Sequence, residues 1–173
     1  MAEFLVDSYS ESNAYGFSWS YSGYRETVGQ SFTGKDGRVS SAKFYCKKVG
    51  SPTGNVYAKL YAHTGTYGST SAPTGSALVT SNAIDITTLS TDYALITFTF
   101  PIPYQITEGA YYCIAINYAG GDSSNKLETA WDESSPSHSG NGFINTTPDT
   151  VDFCFYVYAE SITTGATFLL NFI

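Results

Sequence analysis

GQSFTGKDGRVSSAKFYCKKVGSPTGNVYAKLYAH, residues 29–63, carries two alternating patterns on either side of the turn Val49-Gly50-Ser51-Pro52-Thr53-Gly54. In the first, Ala42, Phe44 and Cys46 share one parity and Lys43, Tyr45 and Lys47 the other, so a strand here has one buried and one wet face. In the second, Val56, Ala58, Leu60 and Ala62 point inward. Tyr57, Lys59, Tyr61 and His63 then form an aromatic and basic row on the outer face, a candidate for contact with a ligand. A cross-strand ladder that only stabilises the sheet explains the same row.

Toward the N-terminus, a short apolar strand, Phe4-Leu5-Val6, precedes the Ser- and Tyr-rich stretch DSYSESNAYGFSWSYSGY. Residues 1–25 read as an N-terminal arm and edge strand. Tyr15, Phe17 and Trp19 share one parity there, and they either pack on their own domain or form a partner-binding surface. Toward the C-terminus, residues 64–77 lack periodicity and are rich in turn formers, which predicts a long loop. Short strands are expected at 78–80 and 84–86. Residues 92–100 then alternate, with Ala94, Ile96, Phe98 and Phe100 inward, until Pro101 and Pro103 end the strand.

The run AYYCIAINY is apolar on both parities, the mark of a central strand covered on both faces. Residues 126–132 form a strand carrying Trp131. In residues 151–158, Val151, Phe153, Phe155 and Val157 point inward, while Tyr156 and Tyr158 point out. The tail, residues 161–173, ends in Phe168, Leu169, Leu170, Phe172 and Ile173. Leaving these in water forfeits roughly 1.5 to 3 kcal/mol each, so they are expected to complete the domain's own sheet or to dock against another copy or a larger assembly.

Some ten short strands with turn signals between them, and no convincing helix, predict an all-β, antiparallel β-sandwich or jelly roll. Its body spans 26–160, followed by an apolar C-terminal strand, and together they form one domain. The 173 residues, 42% hydrophobic and 13% charged, suit a single core. Fifteen Tyr against one Met favour strands over helices.

A net charge of -7 with eight scattered basic residues speaks against nucleic-acid and anionic membrane surfaces. No apolar run approaches the roughly 20 residues that span a bilayer. The opening MAEFLVD has an acid where a signal peptide has bases, so no signal peptide is expected. Cys46, Cys113 and Cys154 cannot all pair within one chain; they read as buried free thiols, with one inter-strand bridge as the alternative.

Enzyme templates fail on their own terms. His63 and His138 have no nucleophile elbow nearby. Glu128 and Asp132 share a face of the Trp131 strand, but four residues separate them by roughly 13 Å, beyond the spacing of a glycosidase pair. Phosphate loops are absent. Asp36 or Asp122 with Asp149 and Asp152 could supply oxygen ligands to a structural calcium, yet no loop carries dense DxDxD spacing, so no cofactor or metal is expected.

Residues 29–33, 39–44, 48–62, 98–100 and 109–116, most specifically the SPTGNVYAKLYA hairpin, resemble the choice-of-anchor type of β-sandwich module found in prokaryotic surface proteins and in phage structural proteins. The resemblance covers about the middle half of the chain and implies no catalytic residues. The export signal and C-terminal anchor expected of a cell-surface member are not evident. Two readings follow. One is a non-catalytic virion or particle-surface protein, a decoration or fibre-associated sandwich contacting copies of itself or a capsid or tail component. The other is a carbohydrate-binding module of a secreted or cell-surface protein, with Tyr57, Tyr61, Trp131, Tyr156 and Tyr158 as stacking platforms. The two are compatible, since a particle surface protein can bind surface glycans.

Overall fold

A computed structural model describes residues 2–162. The expected tail contacts of Phe168, Leu169, Leu170, Phe172 and Ile173 lie outside the described residues. In chain order the strands are β1 (Glu3–Tyr9), β2 (Gly16–Ser20), β3 (Thr27–Thr33), β4 (Gly37–Val49), β5 (Asn55–Thr64), β6 (Ala72–Thr80) and β7 (Ile84–Asp85). They continue as β8 (Ala94–Ile106), β9 (Tyr111–Asn117), β10 (Lys126–Asp132), β11 (Gly142–Ile144), β12 (Thr147–Pro148), β13 (Asp152–Phe153) and β14 (Phe155–Glu160). They form two antiparallel sheets packed together, one of them curled into a half-barrel, so the chain is an all-β sandwich.

The first sheet is organised by β4, whose Ala42, Phe44 and Cys46 are buried while Lys43, Tyr45 and Lys47 are half-buried on the other face. One edge of β4 pairs with β8 from Gly37 to Cys46. The other edge is shared: Arg38 to Phe44 pair with β14, and Cys46 to Val49 pair with β10. Cys154 fills the fork, accepting the Tyr45 N–H at its carbonyl (3.3 Å) and donating its own N–H to the Ala130 carbonyl (3.1 Å). Beyond the fork, β13 pairs with the end of β10, β2 pairs with the opposite edge of β10, and β1 pairs with β14. Residues 2–25 therefore supply two edge strands of one sheet rather than an arm and a single strand.

The second sheet runs β12, β11, β3, β9, β5, β6, with β7 beside β5. Central β9 is covered on both faces, as its two-sided apolar pattern requires. Ile114 and Ile116 enter the main core with Phe32, Leu60, Phe44, Phe98 and Phe155, whereas Cys113 and Ala115 lie under Phe143 on the outer side. All three cysteines are free and buried, and burial pushes each thiol up to about 12, so they stay protonated at neutral pH.

Two expectations about turn formers need correction. The predicted loop over 64–77 is much shorter, because Ala72–Thr80 form β6; Pro73 and Gly75 are tolerated in a strand that pairs only with β5 and carries a register shift opposite Leu60 and Ala62. Likewise β8 does not stop at Pro101. It continues to Ile106 because β8 is an edge strand, and the register slips between Val39 and Ser41 where the prolines pass.

Gly29 marks a close approach within the second sheet. A Cβ there would lie 2.1 Å from the Ile114 carbonyl oxygen and 2.8 Å from the Phe143 ring. Gly29→Ala is expected to lower stability by about 1–3 kcal/mol, since backbone must move to admit the methyl. A denaturant midpoint equal to that of the native chain would contradict this.

Candidate functional site

The strand that departs most from its own stability is β2. Phe17 and Trp19 point to solvent, 44% and 40% exposed, whereas Ser18 and Ser20 point inward and are fully buried. The hydroxyls of Ser18, Ser20 and of Thr129, which pairs with Ser18, have no hydrogen-bond partner among the described residues. Burying a hydroxyl unpaired costs roughly 1–3 kcal/mol, and exposing a large apolar side chain forfeits about 1.5–3 kcal/mol. Both penalties fall on one five-residue strand.

Next to β2 is a cleft of about 380 Å³, lined by Ala14, Tyr15, Gly16, Phe17, Tyr45, Tyr93 and Ala130. Ala130 of β10 lies opposite Phe17 in register, and its methyl leaves room that a larger side chain would fill. Tyr15 is 71% exposed at one wall. Tyr45 and Tyr93 stack at 5.1 Å, and Phe17 and Trp19 meet at 5.5 Å. Such pairs present broad ring faces whose positions are fixed by their neighbours.

Glu128 holds this arrangement together. It lies in register between Lys47 of β4 and Trp19 of β2. Its carboxylate accepts the Trp19 Nε1–H (2.8 Å) and the Tyr93 hydroxyl (2.7 Å) and pairs with Lys47 Nζ at 3.1 Å. Burial alone would raise the Glu128 carboxyl, but the hydrogen bonds from Tyr93, Trp19 and Lys47 outweigh it and hold the group below its ordinary value. Burial, and then the hydrogen bond to the Glu128 carboxylate and its charge, push the Tyr93 phenol up. With its lone pairs so engaged, Glu128 acts as a positioning residue.

The sequence-predicted residues fall into three places. Tyr156 and Tyr158 lie on the same outer face as the cleft, farther along β4. Tyr156 donates to Glu11, and Tyr158 has the Lys43 ammonium 5.1 Å from its ring centre. Tyr57 and Tyr61 belong to the opposite sheet, so they cannot share a site with the first pair. Tyr61 packs beside the Cys113, Ala115 and Phe143 cluster, and burial pushes its phenol up. Trp131 is corrected: it is 8% exposed and packs edge-on against Phe153 in the core, so it is no stacking platform. Parity explains this, because Trp131 points away from the face that carries Glu128 and Ala130.

Sequence reading placed Tyr45 outward without assigning it a role and left Tyr15, Phe17 and Trp19 open between core and surface. Tyr93 falls on the outward parity of the alternating run 92–100, but it precedes β8 and nothing in that alternation assigned it a role.

The remaining polar candidates are engaged within the fold. His138 is buried, with Nδ1 accepting the Gly140 N–H (3.0 Å) and Nε2 3.3 Å from Asp7. Asp152 receives the His138 N–H and the Gln30 amide at 2.8 and 2.7 Å. A second cleft of about 270 Å³ borders His138, Asn141, Asp149 and Asp152. Asp36 and Asp122 cap turns elsewhere. Asp132 accepts the Tyr9 hydroxyl (2.8 Å). Among the described residues no group of three or more His, Cys, Asp or Glu side chains is placed to hold a metal ion.

The sequence matches no family model and no curated protein. The likeness to choice-of-anchor modules thus rests on the residues quoted for it.

Glu128→Ala is expected to cost about 1.5–3 kcal/mol, the worth of hydrogen bonds to a charged group, and to change the Trp19 emission. Because the folded carboxyl is held below its ordinary value of 4.5, its stabilisation is present above that pH and is lost as pH falls below it. An acid unfolding profile identical in the native chain and the Glu128→Ala variant would show that Glu128 stabilises nothing.

Proposed function

We propose that the protein is a non-catalytic surface module that binds glycans in the cleft of Tyr15, Phe17, Tyr45 and Tyr93 and on the neighbouring Trp19 ring, and that it works on a virion or similar particle. The supporting observation is the inverted polarity of β2, which exposes two aromatic rings and buries two serines. A domain that gains nothing from displaying Phe17 and Trp19 would gain stability from the opposite register. Sugars suit such a surface: their C–H faces pack on rings, while tyrosine hydroxyls at the edges meet their hydroxyls.

The particle setting is supported by the composition, by the resemblance to phage structural modules, and by apolar residues displayed on two edge strands. Leu5 on β1 is 42% exposed and Ile102 on β8 is 76% exposed, which offers contacts to another copy or to a capsid or tail component. A carbohydrate-binding module of a secreted or cell-surface protein would use the same cleft and differ only in what it is attached to.

Phe17→Ala with Trp19→Ala is expected to weaken glycan binding about tenfold or more, at roughly 0.5–1.5 kcal/mol per ring beyond its area, with a loss of stability no larger than that of Glu128→Ala, because Tyr93 and Lys47 still engage the carboxylate. Tyr57→Ala with Tyr61→Ala, on the other sheet, is expected to leave binding unchanged and folding largely intact. Glycan-array binding followed by calorimetry on both variants checks the assignment. Loss of binding in the Tyr57 and Tyr61 variant alone would move the site to the opposite face.

A further inference from the structure

Three of the chain's eight basic residues, Lys43, Lys47 and Lys126, have their ammonium groups over aromatic rings of this one face. Lys126 Nζ sits 3.9 Å from the Trp19 ring centre, Lys47 Nζ 4.7 Å from that of Tyr93, and Lys43 Nζ 5.1 Å from that of Tyr158. Lys47 is neutralised by Glu128, the one carboxylate–lysine ion pair among the described residues. Lys126 donates to the Ser123 carbonyl at 2.7 Å, and an ammonium has three donors, so two stay available. Lys43 likewise makes no ion pair there, although each lysine has one carboxylate in its field: Glu11, which accepts the Tyr156 hydroxyl, feels the charge of Lys43, and Asp122 feels that of Lys126. The rings hold both cations in place without cancelling their charge.

We infer that the ligand is an extended acidic glycan, a chain of sugars bearing carboxylates or sulfates, lying along β4 with its anionic groups against Lys126 and Lys43. This rests on the glycan reading above and adds its charge and its length. Lys126 pairs in register with Val49, six residues along β4 from Lys43, a separation of roughly 20 Å. That is several sugar rings, so a single terminal sugar cannot meet both cations. The aromatic residues between them, Trp19, Tyr93, Tyr45 and Tyr156, supply stacking surface along the way. The net charge of -7 does not oppose this arrangement. At physiological salt, charges beyond about 8 Å are largely screened, so the local field is set by the groups of this face: Lys43 and Lys126 with Glu11 and Asp122 near them, and the Lys47–Glu128 pair, which cancels itself.

The test is calorimetric titration of the full chain with hexasaccharides of galacturonate, hyaluronan and heparin, beside neutral cellohexaose, xylohexaose and chitohexaose. The best acidic probe is expected to bind at least about tenfold tighter than the best neutral one at about 50 mM salt, with the advantage shrinking at about 500 mM. Lys43→Ala with Lys126→Ala should abolish that advantage while neutral binding and thermal stability persist. Monomeric galacturonate should bind far more weakly than its hexamer. Equal binding of neutral and acidic probes, or an acidic preference that survives the double variant, overturns the inference and leaves the glycan site standing. An acidic monomer as tight as its hexamer overturns the extended geometry. Failure of every probe, acidic and neutral, overturns the glycan reading and this one with it.

Discussion

The outer face of the first sheet depends on β4 having two partners along one edge. A strand of thirteen residues can pair with β14 over its first half and β10 over its last few residues only if the chain between them, at Cys154, bridges the gap with its own peptide group. The fork is stable because Cys46 and Cys154 are fully buried where the partners diverge, and neither places a polar side chain there. It also has a consequence for shape. Ala130 and Tyr45 flank the opening, so the surface dips between β10 and β4 where a continuous sheet would present a full row of side chains.

Energetics on the two outer faces differ for a physical reason. On the second sheet, Phe143 folds over Gly29 and covers Cys113 and Ala115, so Tyr61 of β5 is drawn into packing and is half-buried. On the first sheet no described segment performs that service, and the rings of β2 stay in water. Trp19 and Tyr93 are held instead by Glu128, a buried carboxylate with three donors around it. Partners of that kind offset the desolvation of a charge and fix ring orientation. The result is an open aromatic surface, its rings held by neighbours and flanked by Lys126 and Lys43; for the proposed stacked ligand, that ordering would be paid in advance.

Much of the sandwich was legible in the chain. Parity along residues 42–47, 56–60, 94–100 and 153–158 assigned inward and outward residues correctly, because a strand's side chains alternate whatever it pairs with; past Leu60 the register shift blurs it, and Ala62 is no more buried than Tyr61 and His63. The two-sided apolar run at 111–117 announced a central strand for the same local reason. Turn formers misled where they sat on edges: Pro73, Gly75, Pro101 and Pro103 interrupt a ladder only if both edges must be paired, and edge status is a property of the whole sheet.

The sequence by itself determined the fold class and the parity of its main strands. Tertiary structure alone decided which outward residues share a surface. Tyr57 with Tyr61 and Tyr156 with Tyr158 look equivalent in the chain, yet they occupy opposite sheets. Tyr45 and Tyr93 are 48 positions apart and stack; Glu128 meets Trp19 across 109 positions. The direction in which β2 faces was undecidable locally, since Phe17 and Trp19 against Ser18 and Ser20 read as an ordinary buried-and-wet alternation. Only the pairing of β2 with β10, whose register is set by β4 on its other edge, turns the aromatic side outward.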